Sequence, residues 1–246
     1  MIPTLPIFAT VYGAYSKVFQ NFSALSRATV LPVLVLLVFA TVRETAPSGA
    51  LVSLIFWSLN LPFIALIAVA CHRVVLLGAD SLNNPWSIYW TARETSFLVW
   101  LLILGIFLFV AAKILSVVFL MSPSTVFGFR TPWLGLIFTY IAVTYLGGRF
   151  SMVLPATALG KRMIMSNSWY LTAGNGPTIT VALLLPLVIM WCLLTLGKLL
   201  APFVPQSFSM VVVVILIAIT FAAEVAVLSL SYQYLRDSTL NKDVAR

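Results

Sequence analysis

Long apolar runs alternate with short polar segments along the whole chain. Six runs approach the roughly 20 residues that an α-helix needs to cross about 30 Å of hydrocarbon. The first run is the shortest, contains Pro32 and is expected to begin a few residues earlier. The predicted spans cover residues 28–42, 49–71, 95–120, 131–147, 178–200 and 209–232. Short segments rich in Pro, Gly and Ser join them in pairs, which predicts three hairpins.

A second pattern comes before each hairpin, in the connection that leads to it. Residues 8–25 place apolar side chains at helical spacing on one face and polar ones on the other, which predicts an amphipathic helix in the headgroup layer. The two later connections carry aromatic residues of the kind found at membrane boundaries. The predicted interfacial anchors are Trp86, Trp90, Trp169 and Tyr170.

Composition supports a membrane protein and excludes most other classes. The 246 residues are 62% hydrophobic and 8% charged, whereas a soluble domain is about half apolar and a quarter charged. A soluble enzyme, a nucleic-acid-binding protein and a disordered chain are therefore excluded. The predicted fold class is all-α, a polytopic membrane helix bundle of about six transmembrane helices in three hairpin units, each preceded by an interfacial amphipathic helix. Residues 1–246 form a single integral membrane domain.

The positions of the charges predict an orientation. Ten of the fourteen basic residues lie before the first span, after the last, or in the two longer connections, and the other four lie at the three short turns. Cytoplasmic loops retain Lys and Arg, so both termini are expected on the cytoplasmic side of the membrane, with the three short turns facing outward. The basic residues are scattered singly, and no nucleic-acid partner is predicted.

Short matches between the hairpins indicate a threefold repeat with units 1–75, 76–158 and 159–240. Leu77-Gly78 and Leu159-Gly160 are each followed by Trp, Tyr and Thr-Ala at an offset of about 81 residues. The three returning spans also share Ile-Ala-Val or Val-Ala-Val, followed by a basic residue. Repeats of this kind are common in membrane proteins.

Glu224 is the acidic residue that the boundary pattern does not explain, because it falls inside the sixth predicted span. An acid in a span costs about 2.5 to 3.5 kcal/mol on insertion scales, so it needs a polar neighbour or a functional reason. One reading places Glu224 in the bundle interior, protonated or hydrogen-bonded to another span. The other makes it a proton or cation site.

Arginines at equivalent ends of the three returning spans are candidates for holding anionic lipid phosphates. They are Arg73, Arg149 and Arg236. Ordinary positive-inside anchoring is the alternative explanation. The single histidine, His72, has no neighbouring ligand or nucleophile in the sequence, so no metal site, no cofactor and no enzymatic activity are predicted.

Four segments carry a resemblance to a known group of proteins. They are residues 72–78 (HRVVLLG), 148–160 (GRFSMVLPATALG), 168–176 (SWYLTAGNG) and 229–236 (SLSYQYLR). Together they resemble bacterial six-span inner-membrane proteins, frequent in alphaproteobacteria, that are similar to the membrane domain attached to some glycerophosphodiester phosphodiesterases. The resemblance implies a six-span fold and an inner-membrane location, and it carries no catalytic activity over to this chain.

Two functions follow as expectations. The first is a non-enzymatic integral inner-membrane protein, an accessory or scaffold component that binds membrane lipids, including anionic ones, or a membrane-protein partner or second copy of itself. The second is a small transporter or permease component with an intramembrane polar site at Glu224. A polar cavity at mid-membrane would favour the transporter, and a filled bundle with an exposed apolar face would favour the accessory protein.

Overall fold

The long apolar runs fold into helices that pack as hairpins. The computed structural model describes residues 4–47, 49–82, 90–121, 125–126, 129–130, 132–200 and 206–244. The helices are α1 (Ile7–Gln20), α2 (Phe22–Thr45), α3 (Ala50–Leu77), α4 (Ala92–Met121), α5 (Pro132–Phe150), α6 (Val153–Ala158), α7 (Met165–Leu171), α8 (Gly176–Leu200) and α9 (Gln206–Val244). A 3₁₀ turn follows α3 at Ala79–Ser81, and the two-residue strands β1 (Thr125–Val126) and β2 (Phe129–Arg130) pair antiparallel between α4 and α5.

Six helical segments are long and apolar enough to cross a membrane, which confirms the predicted all-α polytopic helix bundle. They are Phe22–Thr45, Ala50–Leu77, Ala92–Val118, Gly135–Ala158, Gly176–Gly197 and Val212–Thr239. Helices α2 and α3, α4 and α5, and α8 and α9 pack as the three predicted hairpins. The chain is therefore a multi-pass membrane protein.

Several predicted boundaries were wrong at the ends where helices continue beyond the apolar run. Helix α3 runs on to Leu77, six residues past the predicted end, and stops where Gly78 takes a positive φ of 89°. Helix α9 runs to Val244, twelve residues past the predicted end. The last residues of α9 contain no Gly or Pro. The helix therefore continues through hydrophilic residues after the apolar segment has ended.

Short helices precede the first and third hairpins, as predicted. Helix α1 stops at Asn21, whose φ of −106° and ψ of 18° interrupt the helix, so the predicted continuous helix over residues 8–25 was wrong in its second part. Helix α7 precedes α8. The corresponding segment of the second hairpin falls mainly on residues 83–89, and Trp86 with it lies outside the described residues.

The buried core occupies the half of the bundle remote from the hairpin turns. Residues 148–158, 223–229 and 67–75 are almost all buried, and Phe97, Ile179 and Ala14 pack among them. Toward the turns, side chains such as Leu54, Phe109 and Trp191 are exposed. The basic helix ends thus belong to the tightly packed half, and apolar area remains open near the turns for lipid or a partner to cover.

The two connections proposed as repeats share one local feature. Gly78 and Gly160 both have positive φ, at 89° and 72°, and each ends a helical segment where only glycine is unstrained. At Gly160 the amide of Lys161 returns to the carbonyl of Ala156 at 2.9 Å. The threefold repeat of the whole chain stays a prediction.

Candidate functional site

Arg149 lies inside the packed half, held by hydrogen bonds from three directions. Its side chain leaves the end of α5 and is 7% exposed. Nε donates to Thr172 Oγ1 at 2.7 Å, one terminal nitrogen donates to the Tyr145 hydroxyl at 2.9 Å, and the other donates to the Trp169 carbonyl at 2.7 Å. All three acceptors are neutral, so these contacts leave the guanidinium charge uncompensated.

Aromatic rings supply the remaining contacts of Arg149. The guanidinium carbon lies 3.7 Å from the centre of the Trp169 ring and 5.8 Å from that of Tyr145. Trp169 in turn stacks on Phe150, with ring centres 5.1 Å apart. A cation over an aromatic face is stabilised by the ring quadrupole, increasingly so when water is excluded. The Trp169 ring thus partly stabilises the positive charge of Arg149, as a carboxylate would in an ion pair.

The main consequence of these contacts is to fix α7. Ser168 donates to the Arg149 carbonyl at 2.7 Å, and the Thr172 hydroxyl donates back toward the Ser168 carbonyl at 2.9 Å. One face of α7 is therefore pinned to the end of α5. The opposite face, with Asn167, Tyr170 and Leu171, is left to line a surface cleft.

That cleft, which we call the basic cleft, lies between the loop after α6, helix α7 and the end of α9. Its volume is about 490 Å³. Three cations line it, Lys161, Arg162 and Arg236, and no acidic side chain is among its lining residues. The other lining residues are Ala156, Met163, Asn167, Tyr170, Leu171, Tyr232 and Thr239. A concave surface with this charge fits an anionic group.

The three arginines proposed as a lipid-binding set have different surroundings. Arg73 donates to the Ser81 carbonyl at 2.7 Å and is half-buried. Arg149 uses three donors inside the protein, as described above. Arg236 lines the basic cleft and forms an ion pair with its neighbour Asp237 at 2.9 Å. Of these three arginines, Arg236 is the one that lines the basic cleft. Lys161 and Arg162 also line it, although the sequence indicated for them only a role as markers of membrane orientation.

The predicted interfacial aromatics also differ among themselves. Tyr170 is 73% exposed on α7 and lines the basic cleft. Trp90 is exposed and donates to Thr95 at the start of α4. Trp169 is half-buried against Arg149 and Phe150. Two of the three described anchors are therefore exposed, and the third contacts a buried cation.

His72 forms a hydrogen bond with a residue that the sequence did not indicate. Its Nδ1 lies 2.7 Å from Ser229 Oγ, on a helix 157 residues further along the chain. The Ser229 hydroxyl donates to the Val225 carbonyl at 2.8 Å, which leaves Nδ1 as the donor to the hydroxyl oxygen. His72 is 1% exposed and Ser229 is fully buried, so a substrate has no access, and the pair acts as a tie between α3 and α9.

Replacing Ser229 by alanine is expected to destabilise the protein by about 1 to 3 kcal/mol, because the buried Nδ1 of His72 would lose its partner. Ser231→Ala is the matched control. Ser231 is equally buried on the same helix, and its hydroxyl oxygen has no partner within the described residues. Thermal unfolding in detergent should therefore show a clear loss for Ser229→Ala and little change for Ser231→Ala. Equal losses would contradict the His72 tie.

Glu224 lies near the middle of the candidate span Val212–Thr239 and away from the basic cleft. Its Oε1 atom is buried and has no hydrogen-bond partner in the part of the chain that the structure describes. Lys113 is exposed, with Nζ 5.5 Å from the Phe109 ring centre.

The candidate site is therefore a surface cleft backed by a buried arginine, with a separate acid deeper in the bundle. Among the described residues, no three His, Cys, Asp or Glu side chains come together as a metal site requires. Both features are defined by this chain's own geometry. No protein-family model, curated protein or solved structure matches this chain.

Proposed function

We propose that this chain is a non-enzymatic inner-membrane protein that binds anionic lipid headgroups in the basic cleft and serves as an accessory or scaffold component of the membrane. The observation that carries the proposal is the cleft itself, in which Lys161, Arg162 and Arg236 converge without an acidic lining residue. Lysine and arginine at a membrane surface attract anionic lipids by about 1 kcal/mol for each residue.

The position of the cleft supports a lipid rather than a free anion as its ligand. Arg236 and Thr239 lie at the last turn of the candidate span Val212–Thr239, where a membrane-spanning helix reaches the headgroups. Tyr170 and Tyr232 give the cleft aromatic walls that suit the boundary between headgroup and acyl chain. A lipid phosphate can occupy the basic cleft while its chains follow the exposed apolar helices.

The orientation and the accessory role belong to the same proposal. The packed basic end faces the cytoplasm, together with both termini, and the three hairpin turns face outward, as the distribution of Lys and Arg favours. The resemblance to six-span inner-membrane proteins points to the same location. The open apolar half near the turns offers area for a membrane-protein partner or a second copy, and it is consistent with a component that works within an assembly.

Retention of anionic lipid tests the proposal directly. In native mass spectrometry of protein from mixed micelles containing phosphatidylglycerol and phosphatidylcholine, the protein is expected to retain phosphatidylglycerol preferentially. The combined variant Lys161→Gln, Arg162→Gln, Arg236→Gln should lose this preference by about tenfold or more, since three interactions of about 1 kcal/mol each are removed. A free anion is distinguished by adding inorganic phosphate, which should not displace the lipid.

A matched variant keeps the same change in net charge but leaves the cleft intact. Lys17, Arg27 and Lys113 are exposed on other helices, and replacing these three by Gln should preserve the lipid preference. If both triple variants lose the preference equally, overall charge and not the basic cleft selects the lipid, and the proposal is wrong.

A further inference from the structure

Glu224 occupies a position where an ionised carboxylate would be poorly stabilised. It lies near the centre of an apolar span, and its buried Oε1 accepts no hydrogen bond within the described part of the chain. Ion pairs in the same described residues join Arg93 to Glu94 and Arg236 to Asp237 and do not include Glu224. A buried carboxylate without a cation or a donor is normally avoided by binding a proton.

The lysine nearest the outer turn of the last hairpin is too distant to provide that charge. Glu224 lies about 27 Å along α9 from Gln206, at 1.5 Å for each residue. Lys198 is close to the end of α8, next to the same turn. A lysine side chain extends only about 6 Å, which is much shorter than the distance along the antiparallel helices from this turn to Glu224.

The groups that do face Glu224 are phenols. Tyr15 on α1 and Tyr140 on α5 both lie within range of its charge. Burial raises the pKa of Tyr15, so Tyr15 remains a neutral phenol at physiological pH. On α3, His72 is turned to Ser229, and on α8 the described titratable side chain is the exposed Cys192. None of these groups supplies a positive charge to the site.

The Glu224 side chain is only partly enclosed by the protein. The residue as a whole is only half-buried, although Oε1 is enclosed. It lies where the packed half of the bundle gives way to the open half, since residues 212–218 are largely exposed and residues 225–229 are buried. A small lipophilic reagent can therefore reach the carboxyl group from the membrane side.

We propose that Glu224 is a proton-binding site within the membrane, its carboxyl neutral in the resting protein and reactive from the lipid phase. This inference is independent of the basic cleft. It assigns the proton as ligand to the one acid of the six that lies in the interior of a span.

Dicyclohexylcarbodiimide provides the test, because it reacts with neutral carboxylic acids in apolar surroundings. The acid proton passes to a carbodiimide nitrogen while the carboxyl oxygen bonds to the central carbon, and the adduct rearranges to a stable N-acylurea that peptide mass spectrometry locates. An ordinary exposed carboxyl is protonated in roughly one molecule in a thousand at neutral pH. In phosphatidylcholine vesicles, Glu224 is therefore expected to react at least about a hundredfold faster than the exposed Glu44.

Variants and a second reagent make the outcome decisive. Glu224→Gln should abolish the label on this peptide, Glu224→Asp should retain it, and Glu44→Gln should leave it unchanged. A water-soluble carbodiimide should leave Glu224 largely unlabelled. No faster labelling of Glu224 than of Glu44 in the folded wild-type protein, or equal labelling by the water-soluble reagent, would overturn the proposal.

Discussion

Replacing Arg149 by methionine is expected to destabilise the protein by about 3 to 5 kcal/mol, although methionine keeps the unbranched apolar stem of the side chain. The variant would leave the Thr172 hydroxyl, the Tyr145 hydroxyl and the Trp169 carbonyl without their common donor in a buried site. It would also remove the cation from the Trp169 ring. Thermal or SDS-induced unfolding in mixed micelles measures the change.

Two further variants separate the geometry of Arg149 from its charge. Arg149→Lys keeps the charge, but its single ammonium nitrogen cannot reach three acceptors that are spread around a planar guanidinium, so it should recover less than half of the lost stability. Arg162→Met removes an exposed arginine nearby and should change stability by no more than about 0.5 kcal/mol. A mild effect of Arg149→Met, similar to that of Arg162→Met, would show that the buried arginine does not organise this end of the bundle.

The second large effect is expected at Gly176, the first residue of α8. A Cβ atom at this position would lie 2.6 Å from Tyr145 Cε2 and 3.0 Å from Arg149 Cδ. Gly176→Ala would therefore push the tyrosine and arginine out of their hydrogen-bonded arrangement. We expect a loss of about 1 to 3 kcal/mol, measured as a lower unfolding temperature in detergent.

Gly197 supplies the matched control in the same helix. A Cβ atom there would meet nothing within 4 Å. Gly197→Ala should be neutral or stabilising by up to about 1 kcal/mol, because alanine favours the helix over glycine. Opposite signs for the two substitutions are the expected result. A stabilising Gly176→Ala would contradict the close approach of α8 to Tyr145.

The number of spans and their pairing were predictable because hydrocarbon thickness sets a minimum apolar length and Pro- or Gly-containing segments break the helices. The turn before α8 was predictable for the same reason. Gly174 there has a φ of 78°, a conformation that glycine adopts without strain. The polar helix ends were not predictable from hydropathy, since α9 continues through hydrophilic residues to Val244.

The surroundings of the polar residues depended on contacts between distant parts of the chain. Nothing near His72 in the sequence indicates Ser229, and nothing near Asn175 indicates that its Oδ1 accepts a hydrogen bond from the amide of Leu5 at 2.7 Å. Arg149 looked like any basic residue at a helix end. Its burial results from the return of α7 over the end of α5, which the adjacent glycines and Trp169 could have suggested but not established.

Glu224 could be singled out from the sequence because a single acid in a long apolar run is conspicuous, and it lies in one of the long apolar helices. Its neighbours Tyr15 and Tyr140 come from two other helices and could not be inferred from that run. The basic cleft was missed for a related reason. Lys161, Arg162 and Arg236 come together because α9 continues beyond its predicted end at residue 232 and lies beside α7.

The proposed orientation places the packed basic end of the bundle on the cytoplasmic side of a membrane and the hairpin turns on the outer side. Single cysteines at Arg162 and at Thr45, in a background with Cys71 and Cys192 replaced by serine and alanine, test it in intact spheroplasts with a membrane-impermeant maleimide. With this orientation, Thr45→Cys is expected to be labelled from outside, and Arg162→Cys is expected to be labelled only after permeabilisation. Labelling of Arg162→Cys from outside, or of both positions, would contradict it.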